Sequence, residues 1–257
     1  MSTGVERIAA AFAAAPGRAA LMPYLMGGFP DVATSRAIGE AYADGGADLV
    51  EVGVPFSDPL ADGPVIHAAG TRALAAGVTV AAVIELARGL AERLPVILMC
   101  YSNLVLARGV ERFVDELAQA GLSGLIVPDL PLEEATAALA ACDAAGIALV
   151  PLAAPTTPED RLARIGAQAR GFLYTASVTG TTGERSGLDA AELLARVHRH
   201  TEVPVALGFG IATPEQAAAA AAAGADGVIV GSRLVRAAAE GEDVRALVAD
   251  LRAALAG

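Results

Sequence analysis

The chain has 257 residues, of which 54% are hydrophobic and only 18% charged, so it can bury a large core and is unlike charge-rich disordered proteins. This length, with no shift in composition along the sequence, favours one domain over residues 1–257. The net charge of −11 would repel a phosphate backbone and argues against a nucleic-acid partner.

The cysteines and the apolar runs indicate in which cellular compartment the protein is expected. Only two cysteines are present, Cys100 and Cys142, which is too few for a disulfide framework. The longest uncharged run, Ala144 to Pro158, contains three prolines and is shorter than the roughly 18 residues that span a bilayer. No basic region leads into an apolar stretch at the N-terminus, so no signal peptide is predicted. We therefore expect a cytoplasmic protein with reduced cysteines and no membrane contact.

The predicted elements form a repeating pattern. A short helix comes first, from Gly4 to Ala14, with Ser2 or Thr3 as its cap. Short runs rich in Val, Ile and Leu then recur, each followed by an Ala-rich helical segment. Most of these runs are almost continuously apolar, as expected for parallel strands that are covered on both faces. The runs begin near Leu21, Asp48, Val96, Gly124, Ile147, Gly171, Val203 and Gly227.

Eight β-then-α units predict a single (β/α)₈ TIM barrel with an extra N-terminal helix. Several helices end in a glycine just before the next strand, which is typical of a helix C-cap. The first strand is not followed by Gly-x-Gly-x-x-Gly, which argues against a dinucleotide-binding sheet. The units after strands two and six are longer than the others. Because the loops after strands form the catalytic face of such barrels, these insertions are predicted to carry the site.

The second unit carries the stretch E-V-G-V-P-F-S-D-P-L-A-D-G-P, which begins at Glu51. Glu51 stands near the C-terminal end of an apolar strand, where burial would raise its pKa and suit it to act as a general acid. The alternative is a structural carboxylate that neighbouring groups satisfy. Asp62 could simply cap the helix that follows it, but it could also approach the same ligand as Glu51 from a second side. Asp58 fits a turn or a contact with a partner.

Glycine-bearing turns follow predicted strands six, seven and eight. They are Gly180 to Gly183, Phe209-Gly210 and Gly231-Ser232. Each alone could be an ordinary turn, but together they predict a phosphate site, since this fold holds phosphate on backbone amides of its last loops. Ser232 is expected to cap a helix from Arg233 to Ala238. The first of these loops, extended to Gly187, is a candidate lid.

Two tyrosines and three histidines are further polar candidates. Tyr24 on strand one and Tyr174 on strand six could line a pocket or belong to the core. The histidines, His67, His198 and His200, lack the spacing of a metal site, so no metal is expected.

With these residues in place, the sequence resembles the tryptophan synthase alpha-subunit family. The stretch that begins at Glu51 is close to the family signature. Shorter matches run along the whole chain: P-Y-L at 23–25, Y-S-N-L-V at 101–105, V-P-D-L-P at 127–131, G-F-G-I at 208–211 and V-G-S at 230–232. The resemblance implies retro-aldol cleavage of indole-3-glycerol phosphate to indole and glyceraldehyde 3-phosphate, with no metal or organic cofactor in this chain.

The resemblance also implies roles for individual residues. Glu51 would be the acid–base that serves the indole C3 and the hydroxyl beside it, and Asp62 would handle the indole N–H proton. The candidate substrate contacts are Tyr24, Tyr174, Thr182, Gly183, Phe209, Gly210, Gly231 and Ser232. The family implies a pyridoxal-phosphate beta subunit in an alpha-beta-beta-alpha complex. Its predicted contacts are Pro55, Asp58, Asn103 and Pro131.

The composition bears on the mechanism. A retro-aldol enzyme can use a lysine Schiff base, a zinc ion or positioned acids and bases. All 18 basic residues are arginines and the histidines form no cluster, which favours the last route. Two other functions stay open from sequence: a different phosphate-binding barrel, such as a sugar-phosphate isomerase or epimerase, and a catalytically silent subunit that activates a partner.

Overall fold

The structure, a computed structural model, describes residues 2–15, 19–176, 190–208 and 210–256. In these ranges nine strands form one parallel sheet. They are β1 Ala20–Met26, β2 Val50–Gly53, β3 Val96–Met99, β4 Gly124–Ile126, β5 Ala148–Val150, β6 Leu152–Ala153, β7 Leu173–Ala176, β8 Val205–Gly208 and β9 Gly227–Val230. The strand order is β5-β4-β3-β2-β1-β9-β8-β7-β6. Because β5 and β6 follow each other in the chain, the two ends of the sheet meet and the sheet closes into a nearly complete barrel. The predicted TIM barrel is confirmed.

Helices cover the outside of the barrel. Within the described ranges they are α1 Gly4–Ala13, α2 Val32–Asp44, α3 Pro64–Ala75, α4 Val80–Ala91, α5 Ser102–Arg108, α6 Val110–Gln119, α7 Thr136–Ala145, α8 Glu159–Gln168, α9 Ala190–His198, α10 Pro214–Ala222, α11 Ser232–Glu240 and α12 Val244–Leu255, with a 3₁₀ turn at Leu132–Glu134. No single helix among these is long and apolar enough to cross a bilayer, and only α3 and α4 reach that length as a pair, bent by 112°.

The extra N-terminal helix is confirmed, and it lies against the lower end of the barrel. Thr3 rather than Ser2 is the cap, because its side chain and that of Glu6 form a reciprocal capping box. Ile8 is fully buried among the side chains of the barrel interior. The Arg7 guanidinium donates to the carbonyl oxygens of Gly121, Ala91 and Leu94, at 2.6, 2.6 and 3.2 Å. Helix α1 therefore closes the end of the barrel away from the strand C-termini.

The core has two layers, as both-sided burial of the strands requires. Interior residues such as Met22, Leu49 and Ile97 form one cluster, while the larger cluster lies between the strands and the surrounding helices. The register places Glu51 of β2 beside Tyr24 of β1 and Ile97 of β3. Side chains two residues apart on a strand share a face, so Glu51 shares the interior face of Leu49.

The strand prediction differs from the structure in one respect. The fifth predicted run contains two short strands, because Pro151 lies between β5 and β6 and has no N–H to donate to a ladder. The glycines predicted to end helices are confirmed: Gly46, Gly121, Gly146 and Gly224 all have positive φ at the end of a helix, where a side chain would be strained.

Candidate functional site

Glu51 is a buried carboxyl at the catalytic end of β2. Its side chain lies inside the barrel and the residue is 1% exposed. Neither carboxyl oxygen has a hydrogen-bond partner among the described residues. Burial raises the pKa of Glu51 from 4.5 to about 8, because the charged form loses its hydration. The carboxyl is therefore mostly protonated at neutral pH and can give a proton to a substrate.

Tyr24 lies beside Glu51 on the neighbouring strand β1, Tyr174 lies on β7, and both tyrosines are buried. Burial raises the pKa of Tyr24 well above its usual value, and the charges of Asp62 and Glu51 raise it further. Burial likewise raises the pKa of Tyr174, with smaller contributions from the charges of Glu51 and Tyr24. Both carboxylates therefore lie within electrostatic reach of one tyrosine. The structure brings together these four predicted residues, which come from three strands and one loop.

Asp62 is half-buried at the end of the loop that follows β2. It does not cap α3, because Gly63 is the N-cap and no side chain caps that helix. Its Oδ1 instead accepts a hydrogen bond from the Tyr101 hydroxyl at 3.1 Å. Burial is the main cause that raises the pKa of Asp62, while the Tyr101 hydrogen bond and the charge of His67 lower it.

Tyr101 is a site residue that the sequence did not reveal. It follows β3, and its hydroxyl also accepts a hydrogen bond from the backbone N–H of Ala61 at 3.0 Å. Its ring stacks on Phe56 with a centroid separation of 4.9 Å. The only sequence signal was its place in the Y-S-N-L-V motif, which does not show that the side chain reaches back to the loop after β2.

The candidate phosphate end lies where α11 begins. Gly231 is the N-cap of α11, and no side chain caps the helix. In contrast, the first turn of α10 is closed by a capping box from Thr213 and Gln216. The predicted capping role of Ser232 is wrong: with Gly231 in a non-helical conformation, Ser232 is the first residue of a helix that runs to Glu240. A helix start with no side-chain cap among the described residues leaves backbone N–H groups available to an anion.

The remaining predicted substrate contacts are Thr182, Gly183, Phe209 and Gly210. Gly210 is exposed and has a φ of 79°, which favours glycine. Thr182, Gly183 and Phe209 lie outside the described residues, as does the loop predicted to be a lid, 180–187.

The four predicted partner contacts lie in the loop after β2, at the start of α5 and in the loop after β4. Asp58, Asn103 and Pro131 are exposed, whereas Pro55 is buried within the chain. Leu60, in the same loop as Asp58, is 85% exposed. Leu60 and Asp58 are therefore both open to solvent in this loop.

One cavity lies apart from the two candidate carboxylates. A cavity of about 310 Å³ opens between the loop after β4 and the loop after β6, and the residues that line it include Leu132, Leu139 and Ile165. No carboxylate of the candidate site lines it.

Among the described residues no group of three His, Cys, Asp or Glu side chains could hold a metal ion. Both Cys100 and Cys142 are buried thiols.

Comparison with known proteins places the chain in a family. The family model for the tryptophan synthase alpha chain matches residues 11–256. The tryptophan synthase alpha chain of Prochlorococcus marinus is 51% identical over 226 residues, covering 86% of this chain and 82% of the relative. That of Geobacter sulfurreducens is 43% identical and covers 98% of this chain and 99% of the relative.

Solved structures agree. A chain of Mycobacterium tuberculosis tryptophan synthase superposes with a TM-score of 0.92 at 40% identity, over 100% of both chains. A chain of the tryptophan synthase α₂β₂ complex of Pyrococcus furiosus has a TM-score of 0.85 at 34% identity, covering 92% of this chain and 99% of that one. The chain belongs to the tryptophan synthase alpha chain family.

Proposed function

We propose that the chain cleaves indole-3-glycerol phosphate to indole and glyceraldehyde 3-phosphate, and that the indole passes to a beta subunit. One observation carries the proposal beyond family membership. Glu51 is a buried carboxyl with a pKa of about 8 and no hydrogen-bond partner among the described residues. It shares an electrostatic neighbour, Tyr24, with the second carboxylate, Asp62. Two carboxyl groups with different environments are suited to opposite proton-transfer roles.

The proposed mechanism assigns a step to each carboxyl. Protonated Glu51 gives its proton to C3 of the indole ring, and Asp62 stabilises the positive charge that develops on the ring nitrogen. Glu51, now ionised, removes the proton of the hydroxyl on the carbon attached to C3. The carbon–carbon bond then breaks, its electrons return to the ring, and the hydroxyl carbon becomes the aldehyde of glyceraldehyde 3-phosphate. The net change is the transfer of one proton from oxygen to carbon, with Glu51 regenerated.

The phosphate is proposed to bind at the first turn of α11, through backbone amides after Gly231 and the hydroxyl of Ser232. This assignment is supported by the missing side-chain cap at this helix. The remaining members of the proposed contact set are Thr182, Gly183, Phe209 and Gly210.

The proposed partner is a tryptophan synthase beta subunit, which would hold the pyridoxal phosphate, in an alpha-beta-beta-alpha complex in the cytoplasm. The exposed residues Asp58, Asn103 and Pro131 are its proposed contacts, together with Leu60. Pro55 would then support the loop from inside rather than touch the partner, because it is buried.

The test is release of indole from indole-3-glycerol phosphate by the purified chain, alone and with a beta subunit. Glu51→Gln and Asp62→Asn should each lower kcat by about 100-fold or more, because each removes a group that moves or stabilises a proton. Both variants should still bind glycerol phosphate and keep the wild-type melting temperature within a few degrees. Glu85→Gln is the matched control, because Glu85 is an exposed carboxylate on α4 whose partner is Arg88.

Two outcomes would reject the proposal. If the wild-type chain released no indole in either condition, the reaction would be wrong, and a silent activating subunit or a different phosphate-binding barrel would be favoured. If wild type released indole and either carboxyl variant kept near wild-type turnover, the assigned roles would be wrong.

A further inference from the structure

Asp129 supplies the missing cap of α5. It lies in the loop after β4 and is half-buried. Its Oδ1 accepts a hydrogen bond from the backbone N–H of Ser102 at 2.8 Å, and its Oδ2 accepts one from the Ser102 hydroxyl, also at 2.8 Å. Ser102 is the first residue of α5, and the preceding residue, Tyr101, gives that helix no side-chain cap. The carboxylate of Asp129, in the loop after β4, therefore fixes the start of α5, the helix that follows the neighbouring strand β3.

Tyr101 continues this connection into the loop after β2. Tyr101 is 4% exposed. Its hydroxyl accepts a hydrogen bond from the backbone N–H of Ala61 and donates one to the carboxylate of Asp62. Its ring packs against Phe56 at an interplanar angle of 27°. A single side chain thus contacts both the start and the end of that loop.

Apart from the contacts of Tyr101, the described residues give this loop few fixed contacts. Their only other side-chain hydrogen bond between Phe56 and Asp62 is the local one from Ser57 to Asp58. Leu60 is exposed and contributes no core packing. Holding a catalytic group in one orientation has an entropic cost, which a rigid neighbouring element can offset.

We propose that Asp129 and Tyr101 are positioning residues: Asp129 fixes the start of α5, and Tyr101, held there, fixes Asp62 in the orientation that the reaction needs. The inference rests on the proposed function, because Asp62 has a role only if the chain cleaves its substrate. The Asp129–Ser102 contact also lies next to the proposed contacts with the beta subunit, since Asn103 follows Ser102 directly and Pro131 lies two residues after Asp129.

The connection can be broken in graded steps. Tyr101→Phe keeps the stacked ring and removes both hydrogen bonds. Ser102→Ala removes one of the two bonds to Asp129, Asp129→Ala removes both, and Asp129→Asn keeps an acceptor for the Ser102 N–H. Asp243→Ala is the matched control: Asp243 caps α12 through the N–H of Ala246 and touches none of these residues.

We expect Tyr101→Phe to lower kcat for indole release by about 10-fold to 100-fold, with the Kd for glycerol phosphate unchanged, because misplacement of a reacting group acts on turnover. Asp129→Ala should lower kcat about 10-fold, Ser102→Ala less, and Asp129→Asn should recover part of the loss. In the pH dependence of kcat, the rise on the acidic side should move to higher pH in Tyr101→Phe, because the hydrogen bond that lowers the pKa of Asp62 is lost. The other groups that act on Asp62, His67 and Tyr24, are unchanged in these variants.

The results separate the two proposals. If Asp129→Ala and Tyr101→Phe melted at lower temperature but kept wild-type kcat and an unshifted rise of kcat on the acidic side, Asp129 and Tyr101 would have only a structural role and the inference would be overturned. Equal loss of kcat in Asp243→Ala would also overturn it, because any lost helix cap would then have the same effect. An inactive wild-type chain, in contrast, would reject the proposed function itself.

Discussion

The hydroxyl of Tyr24 lies over the α-carbon of Gly53, so close that a β-carbon at Gly53 would come within 1.9 Å of the phenolic oxygen. Tyr174 and Gly208 have the same relationship on the other side of the barrel, at 2.2 Å. In both pairs the tyrosine belongs to one strand and the glycine to its hydrogen-bonded neighbour. Both rings, which lie within electrostatic reach of Glu51, therefore depend on the absence of a side chain in the adjacent strand.

Gly53→Ala should displace the Tyr24 ring from its place beside Glu51. Because Tyr24 is buried, its ring cannot swing into solvent, and we expect kcat/KM to fall by about 10-fold or more with a loss of about 1–3 kcal/mol in the free energy of unfolding. Indole release and urea denaturation measure the two effects. Gly89→Ala is the control, because a β-carbon there would meet only the end of the Arg36 side chain, at 3.1 Å, in the interior of α4. Equal activity of the two variants would contradict the prediction.

Glu51 should make the protein less stable as the pH rises. Its pKa is about 8 in the folded chain and near 4.5 when unfolded, so its stabilising contribution is complete below about pH 4.5 and is lost as the pH rises through 8. Between pH 5 and pH 9 the wild-type free energy of unfolding should fall, relative to that of Glu51→Gln, by a few kcal/mol. Tyr24 and Tyr174 face Glu51, and their raised pKa values keep them neutral over this range. Parallel pH profiles of the two proteins in urea denaturation would contradict the raised pKa.

Gly231→Ala should weaken phosphate binding without disturbing the fold. A β-carbon at Gly231 would lie 3.7 Å from the β-carbon of Tyr24, which is an ordinary contact. The added methyl group would lie at the N-cap of α11, where the phosphate is proposed to bind. We expect the Kd for glycerol phosphate, measured by calorimetry, to rise about 10-fold or more while the melting temperature stays within a few degrees. An unchanged Kd would place the phosphate elsewhere.

Arg7→Ala should destabilise the chain without affecting the chemistry. The guanidinium makes three hydrogen bonds to carbonyl oxygens at the ends of α4 and α6 and in the turns that follow them, and burial lowers its pKa. Loss of these charged donors should cost about 2–4 kcal/mol in the free energy of unfolding. The kcat should be unchanged, since α1 is at the end of the barrel opposite the carboxylates. Arg112→Ala, which removes an exposed ion pair with Glu116, should cost less than about 1 kcal/mol.

The fold could be predicted because its signals are local. Apolar runs and glycines before strands depend on nearby residues, and eight of them in succession leave few other architectures. Pro151 shows the limit of this reasoning, since the run that contains it is one stretch by composition but two strands by hydrogen bonding.

The site could be predicted only where a residue is unusual in its own segment. Glu51 is conspicuous because it interrupts an apolar strand. Tyr101 was missed because its importance comes from Asp62, which lies 39 residues away in sequence. Ser232 was misassigned as a cap, because a helix start can be located from sequence only to within a residue or two, and Gly231 took that position instead.

The docking of α1 against the bottom of the barrel also sets an order of events during synthesis. The Arg7 partners lie 84 to 114 residues further along the chain, and the backbone N–H of Gly4 bonds to the carbonyl of Gly146. Helix α1 therefore lacks its binding surface until the chain has emerged as far as Gly146, so α1 is expected to dock after β2 to β4 have formed. Pulse-labelled hydrogen exchange during refolding would test this, and protection of α1 amides before those of β2 to β4 would disprove it.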